Sequence, residues 1–371
     1  MGEELGARRA VGVIAAVALL AVVAVLALHD WSGSDPDRKQ TSSVRILIGS
    51  EKFDFFNDQE VQAELAAQGL KTDLTTTGSW SMASTDLRGF DLAFPASQPP
   101  AERIRADHKI TSDTVRPFYS PLVVIAHGYV ADLLKEKGLA TRADGSGVWT
   151  LRMDQYLKGV EAGATWQSLK PGSGPPELTG PLFISTTDPE SSSSGALYLA
   201  ELAYLKNGGQ VVADAQGVKK VQGLLYQLTS MQGDQKTSSD GPFKDFLSGV
   251  GNPLVLVYES QVAALIAQHK PADGLVVLYP DTTVYSDHTA VGLTPNGDKL
   301  AQLLRDDPKL RQLEARYGFR PQADSAAFTA AVSKDATNPV LAPDLSAAGV
   351  AQAKVPTLDI LTQLVSVAKG K

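Results

Sequence analysis

Serine and threonine side chains are concentrated at one point of the chain. The segment from Thr186 to Gly195 reads Thr-Thr-Asp-Pro-Glu-Ser-Ser-Ser-Ser-Gly. It follows an apolar run, Pro181 to Ile184, that predicts a short buried strand, and it precedes a helical pattern that ends at Gly208-Gly209. Because the first N–H groups of a helix have no partner within the helix, these groups and the neighbouring hydroxyls would form a cradle for an anion or another polar group.

The same serines also have a simpler interpretation. Ser191 or Ser192 is suited to cap the helix, and Asp188-Pro189 is suited to a turn. The remaining serines would then form a solvated loop. This segment alone leaves both interpretations open.

Other predicted strands also lead into polar loops. Val44 to Ile48 leads into Gly49-Ser50-Glu51-Lys52, Thr72 to Thr77 into Gly78-Ser79-Trp80, and Phe90 to Phe94 into Pro95-Ala96-Ser97. A later apolar run ends in Tyr258-Glu259-Ser260. Ligands bind at the carboxyl ends of the strands in open parallel α/β sheets, so the repeated pattern indicates a binding site at such an edge.

Composition limits the function classes. With 371 residues, 43% hydrophobic and 20% charged, the chain can form one large or two ordinary domains. The formal net charge of -7 leaves no basic surplus for phosphates, so no nucleic-acid partner is predicted. The absence of cysteine excludes disulfides, metal-thiolate sites, cysteine nucleophiles and a lipid-modified cysteine.

The N-terminal residues predict a membrane anchor. Arg8-Arg9 precede an uncharged run, Ala10 to Leu28, of about 19 residues, enough for a helix to cross a bilayer core of about 30 Å. We expect residues 1–30 to form a cytoplasmic stub and transmembrane signal anchor, and 31–43 a tether, with the main domain extracytoplasmic. The alternative is a cleaved signal peptide, which would make the protein secreted.

Catalytic signatures are absent from the sequence. There is no G-x-S-x-G motif, and the five histidines lie in no recognised arrangement. Asp287-His288 is an adjacent carboxylate–imidazole pair in the body of the chain, and we interpret it as a solvated loop pair. Glu259 is the only attractive carboxylate for glycoside chemistry, and a ligand-orienting role suits it as well. We therefore expect no enzyme, no metal and no other cofactor.

The order of these features resembles the bacterial extracytoplasmic solute-binding proteins of the type II periplasmic-binding fold, which include molybdate, sulfate and phosphate binders. The resemblance is carried by Gly49-Ser50-Glu51, Thr77-Gly78-Ser79, Thr187-Asp188-Pro189 with the serines that follow, Val257-Tyr258-Glu259-Ser260 and Tyr317-Gly318-Phe319-Arg320-Pro321. It implies an α/β fold of two lobes, preceded here by the N-terminal transmembrane helix. Lobe 1 would comprise 44–118 plus 286–371, and lobe 2 would comprise 119–285, with hinges at 119–125 and 281–286.

The resemblance also implies where a ligand binds. Oxyanion binders of this group use neutral hydroxyls and backbone N–H groups at helix starts, and the matching positions are Ser50, Ser79, Ser193, Ser194 and Tyr258. The complete candidate ligand-binding set is Ser50, Glu51, Ser79, Ser97, Thr187, Ser192, Ser193, Ser194, Gly195, Tyr258 and Glu259. The chain departs from the group in lacking a lipid-anchor cysteine and in placing charges at Glu51, Lys52 and Glu259.

The expected function is membrane-anchored, extracytoplasmic binding of a small polar or anionic solute by closure of two lobes, serving an ABC-type importer. The partners would be the solute, an ABC permease or other membrane protein, and the membrane itself through Ala10 to Leu28. The alternative is a sensory or scaffolding domain of the same fold that has lost transport and acts through an envelope protein partner.

Overall fold

The computed structural model describes residues 41–371 apart from 171–174, 176, 268, 273 and 333–339. The strands are β1 (Ser42–Gly49), β2 (Leu70–Thr77), β3 (Leu92–Phe94), β4 (Phe118–His127), β5 (Ala140–Arg142), β6 (Trp149–Leu151), β7 (Val255–Tyr258), β8 (Leu275–Pro280), β9 (Thr282–Thr283), β10 (Tyr285–Asp287), β11 (Val291–Gly292), β12 (Arg320–Pro321) and β13 (Ala351–Gln352). The helices are α1 (Phe53–Phe56), α2 (Gln59–Ala67), α3 (Gln98–Asp107), α4 (Gly128–Glu136), α5 (Met153–Glu161), α6 (Trp166–Leu169), α7 (Ser193–Lys206), α8 (Ala215–Ser230), α9 (Asp240–Leu247), α10 (Glu259–Ala267), α11 (Pro295–Asp306), α12 (Pro308–Arg316), α13 (Ser325–Val332) and α14 (Leu358–Ala368). Short 3₁₀ turns form at Ser50–Lys52 and Ser81–Ser84.

The first sheet has the order β11-β3-β1-β2. β1 pairs in parallel with β2 and β3, and the register places Gly49 opposite Thr77 and Ile48 opposite Phe94. The three strands predicted here are confirmed, and their carboxyl ends lie at one edge. The loops that follow them therefore leave the sheet side by side.

The second sheet is organised around β4. Its order is β10-β4-β8-β6-β5, and β7 and β12 also pair with β4. The first half of β4 pairs with β10 and β12, and the second half pairs with β7 and β8, always antiparallel. This central strand places the end of β7, at Tyr258, next to the predicted hinge residues of β10.

Residues after 286 pack in two different places. α11 packs on β1 and β3, and α12 packs on α2, beside the first sheet. α14 packs on α7 and α8, where Leu361 and Leu364 are fully buried. The lobe boundaries given above remain a prediction, although α14 contacts helices of the predicted second lobe.

Some predicted elements differ from those in the structure. Pro181 to Ile184 forms no strand among the described residues, because Leu182 N–H bonds to the Ala164 carbonyl and Ile184 N–H bonds to the Tyr156 hydroxyl instead of a neighbouring strand. The helix predicted from Trp149 to Val160 divides into β6 and α5, because Trp149–Leu151 pairs with β8. The helix predicted from Phe55 to Gly69 is interrupted at Asp58, whose carboxylate caps α2.

The predicted transmembrane segment, Ala10 to Leu28, lies outside the described residues. Among the residues that are described, no helix is both long and apolar enough to span a bilayer.

Candidate ligand-binding site

The N-terminus of α7 carries the serines that the sequence singled out. Ser192 is the N-cap residue, but its side chain makes no capping hydrogen bond. Its Oγ lies 3.0 Å from Ser194 Oγ, which in turn lies 2.8 Å from Thr187 Oγ1. A Cβ on Gly195 would lie 2.3 Å from the Thr187 carbonyl oxygen, so only glycine permits this loop to fold onto the helix. The capping interpretation holds for the backbone of Ser192 and is wrong for its side chain.

Hydroxyls from the first sheet meet the same helix end. Ser97, in the loop after β3, donates through Oγ to Ser193 Oγ at 2.9 Å. Ser79, in the loop after β2, accepts a hydrogen bond from Ala96 N–H at 3.1 Å. All three serines are buried. The parallel register of β1, β2 and β3 thus brings together loops that are far apart in sequence.

Tyr258, at the end of β7, completes the group. Its hydroxyl lies near Ser194 and Ser286, and burial together with the nearby Glu51 carboxylate raises its pKa well above the ordinary value. The phenol therefore stays neutral and can both donate and accept. We refer to these interacting residues as the hydroxyl cluster: Ser79, Ser97, Thr187, Ser192, Ser193, Ser194, Tyr258 and Ser286.

A backbone contact closes one side of the hydroxyl cluster. The Ser191 carbonyl oxygen accepts hydrogen bonds from Trp80 N–H at 3.1 Å and Ser81 N–H at 3.2 Å. A Cβ on Gly78 would lie 2.5 Å from that oxygen. The loop after β2 is therefore held directly against the loop before α7, and these loops belong to different predicted lobes.

A buried charged group lies beside the cluster. Lys52 Nζ hydrogen bonds with Glu51 and lies 3.2 Å from His288 Nδ1. Burial lowers the pKa of Lys52, although Glu51 acts in the opposite direction. Burial, and then Lys52, lowers the pKa of His288 well below its ordinary value, so the imidazole is neutral. When Lys52 is charged it can only donate to Nδ1, and the His288 proton is then on Nε2, which has no hydrogen-bond partner within the described structure.

Lys52 and His288 were missed as site residues by sequence reasoning. They are 236 positions apart, and no local pattern links them. The interpretation of Asp287-His288 as a solvated pair is wrong for His288, which is fully buried. Within the described part of the chain, no group of three or more His, Asp or Glu side chains could hold a metal ion.

Glu259 is engaged elsewhere in the protein. Its Oε2 accepts from Arg320 Nε at 2.7 Å, and its Oε1 accepts from Arg320 Nη2 at 2.8 Å and from the Tyr279 hydroxyl. Both carboxylate oxygens are buried and occupied by donors. The arrangement supports a structural ion pair that fixes β12 against the start of α10.

Ser50 and Glu51 border an open cavity of about 620 Å³, whose other walls include Asp240, Phe243 and Gln261. Ser50 Oγ is buried and has no hydrogen-bond partner in the structure as described. A larger cavity, of about 820 Å³, lies between α10, α12 and α13. It contains none of the candidate residues, so its volume does not make it the site.

Comparison with known proteins gives the fold. No family model matches the chain, and no curated protein matches it. Among solved structures, the sulfate-binding protein SubI from Mycobacterium tuberculosis H37Rv is similar at a TM-score of 0.51 and 15% identity, covering 86% of this chain and 96% of its own. Iron-bound HitA from Pseudomonas aeruginosa gives a TM-score of 0.53 and 13% identity, with 88% and 98% covered.

A third similar structure is an ABC transporter solute-binding protein from Thermotoga lettingae bound with alpha-D-tagatose. Its TM-score is 0.54 at 12% identity, and the match covers 89% of this chain and 94% of that one. Identities this low establish the architecture alone. The chain therefore has the mixed α/β fold of the two-lobed, type II periplasmic solute-binding proteins.

Proposed function

We propose that this protein binds a small polar or anionic solute outside the cytoplasm and delivers it to an ABC-type importer. The observation that carries the proposal is the hydroxyl cluster, in which loops from the first sheet meet the N-terminus of α7 and the end of β7. Neutral O–H and N–H groups at a helix start can solvate a polar or negatively charged group without a full counter-charge.

The proposed mechanism is closure of two lobes around the solute. The hydrogen bonds from Trp80 and Ser81 to Ser191, and from Ser97 to Ser193, connect segments of the two predicted lobes. Opening would break these contacts and expose the hydroxyls to solvent and solute. An N-terminal anchor in the membrane, Ala10 to Leu28, would keep the domain close to a permease or another membrane protein partner.

A thermal-unfolding screen over oxyanions, amino acids and sugars tests the proposal. A solute at about 100 times its dissociation constant should stabilise the protein by about 2.7 kcal/mol. Ser194→Ala should weaken binding of that solute by about tenfold, since one hydrogen bond contributes about 1 kcal/mol or somewhat more. The matched control is Ser230→Ala at the exposed end of α8, which should bind like the wild type. Equal binding by both variants would contradict a role for the cluster.

One observation favours the alternative function, a scaffolding or sensory domain that acts through an envelope protein. The hydroxyls of the cluster hydrogen bond to one another, and the Ser191 carbonyl joins loops of the two predicted lobes. A domain that stays closed needs only these contacts. This alternative predicts that no solute in the screen stabilises the protein.

A further inference from the structure

The cavity beside Ser50 lies between segments of the two predicted lobes. Ser50, Phe53 and Phe319 face it from one side, and Phe243 and Leu247 of α9 face it from the other. Its volume of about 620 Å³ falls within the range of about 300–1,000 Å³ that is usual for pockets that hold organic ligands. A tetrahedral oxyanion would fill only a small part of this space.

Apolar side chains from both sides remain partly uncovered at this cavity. Phe53 is 41% exposed and Leu247 is 41% exposed, and both belong to the large apolar side chains that the described structure leaves in contact with solvent. Phe243 also lines this cavity and is buried. Exposed apolar residues that converge on one concavity are typical of a surface that a ligand covers.

Charges of both signs line the same cavity. Asp54 and Asp240 contribute carboxylates, and Lys244 and Lys270 contribute ammonium groups. Burial raises the pKa of Asp240, and the negative charges of Glu51 and Asp54 raise it further. The carboxylates are therefore close enough to act together on a cationic group. Lys244 pairs with Asp240 at 3.9 Å, whereas Lys270 lines the cavity where it can contact a carboxylate on the same solute.

We propose, on the basis of the function given above, that the solute is an organic zwitterion with an apolar side chain, such as an apolar amino acid or a short apolar peptide. Its apolar group contacts Phe53, Phe243 and Leu247. Its ammonium group faces the carboxylates, and its carboxylate faces Lys270.

Calorimetric titration of the full-length protein tests this assignment. The probes are L-phenylalanine, L-leucine and the dipeptide Phe-Leu, with sulfate and phosphate as oxyanion probes. We expect at least one apolar probe to bind, and Phe53→Ser and Leu247→Ser each to weaken that binding by tenfold or more. Val250→Ser is the matched control, because Val250 is 77% exposed and does not line this cavity. It should bind like the wild type.

The other outcomes separate this inference from the function on which it rests. Binding of sulfate or phosphate without binding of any apolar probe overturns the zwitterion assignment and leaves solute binding in place. Binding of an apolar probe that Phe53→Ser and Leu247→Ser do not weaken also overturns it. A protein that binds none of these probes, nor any solute of the wider screen, overturns both.

Discussion

Glu201 shows how a single buried carboxyl couples α7 to β4 and β9. Thr283 Oγ1 lies 2.8 Å from the Leu122 carbonyl oxygen and 3.0 Å from Glu201 Oε2. A hydroxyl has one proton, and a carbonyl can only accept it, so Glu201 supplies the second proton and is in its acid form. Burial raises the pKa of Glu201 to about 8, and Asp281 contributes in the same direction. Tyr156 and Tyr198, both buried beside it, stay neutral, since burial raises their pKa values too.

Glu201 should make stability depend on pH. The unfolded carboxyl has a pKa of about 4.3, so between that value and about 8 the folded protein holds a proton that the unfolded chain releases. The contribution of Glu201 is therefore complete below about pH 4.3 and is lost as pH rises to about 8, at up to about 1.4 kcal/mol per pH unit. Urea unfolding from pH 5 to 8 should show the stability difference between Glu201→Gln and wild type growing with pH in favour of the variant.

An exposed carboxyl provides the control for this titration. Glu190→Gln alters a solvent-exposed side chain of the loop before α7 and should follow the wild-type profile. Parallel profiles for Glu201→Gln and wild type would mean that Glu201 is ionised in the folded protein.

Contacts between single residues cannot be predicted from the sequence when the two residues lie far apart along the chain. Ser193 and Ser194 could be singled out because a run of serines before a helix is a local pattern. Glu259 and Arg320 are 61 positions apart, and the sequence around each of them does not indicate the ion pair. The sequence alone therefore suggested that Glu259 was an unpaired charge near the ligand. Ser286 escaped notice for the same reason.

The close packing of α7 against the loop before it can be tested by adding a methyl group at Gly195. A methyl group on Gly195 would lie 2.3 Å from the Thr187 carbonyl and 3.0 Å from Pro189 N. Gly195→Ala should therefore displace residues 187–189 and lower the free energy of unfolding by about 1–3 kcal/mol, as overpacking usually does. Chemical denaturation measures this loss.

Gly159→Ala, in α5, is the matched control. Its added methyl group would lie 3.7 Å from Ala164 Cβ, an ordinary van der Waals distance. It should be neutral or slightly stabilising, because alanine is favoured over glycine in helices by about 0.5–1 kcal/mol. Equal stability of the two variants would mean that the loop adapts freely to a side chain at position 195.

Helices and strands could be predicted from the sequence where the apolar residues followed a single helical or strand spacing. The parallel strands of the first sheet and the two helices divided at Pro308 follow directly from apolar spacing. Trp149–Leu151 could not be recognised, because three residues are too few to distinguish a strand from the first turn of the helix beyond. Pro181 to Ile184 has the composition of a strand, but its hydrogen bonds go to a loop carbonyl and a tyrosine hydroxyl.

Closure of the cleft can be tested through Gly78. A methyl group at this position would lie 2.5 Å from the Ser191 carbonyl oxygen and would push apart the two loops that Trp80 and Ser81 N–H groups join. We expect Gly78→Ala to favour an open form, with a larger radius of gyration by small-angle X-ray scattering than wild type. Gly223→Ala, in α8, has no atom within 4 Å of the added methyl group and should leave the radius unchanged. A Gly78→Ala protein as compact as wild type would show that closure does not depend on this contact.

The membrane anchor remains a prediction of the sequence, based on Arg8-Arg9 and the uncharged run from Ala10 to Leu28. Intact-mass analysis of the protein from its native membranes should show that residues 10–28 are retained, because the run is long and no small-x-small cleavage site follows it. A mature chain beginning shortly after Leu28 would instead indicate secretion.

The packing of α14 against α7 and α8 also has a consequence during synthesis. Lys369, just beyond α14, pairs with Asp188 at 3.1 Å, so the loop that carries the serines is held by residues translated long after it. Until residues 358–368 leave the ribosome, the apolar side chains of α7 and α8 that α14 covers lack their partner, and exposed surface of this kind promotes aggregation. A nascent chain of this protein therefore exposes that apolar surface until α14 has emerged.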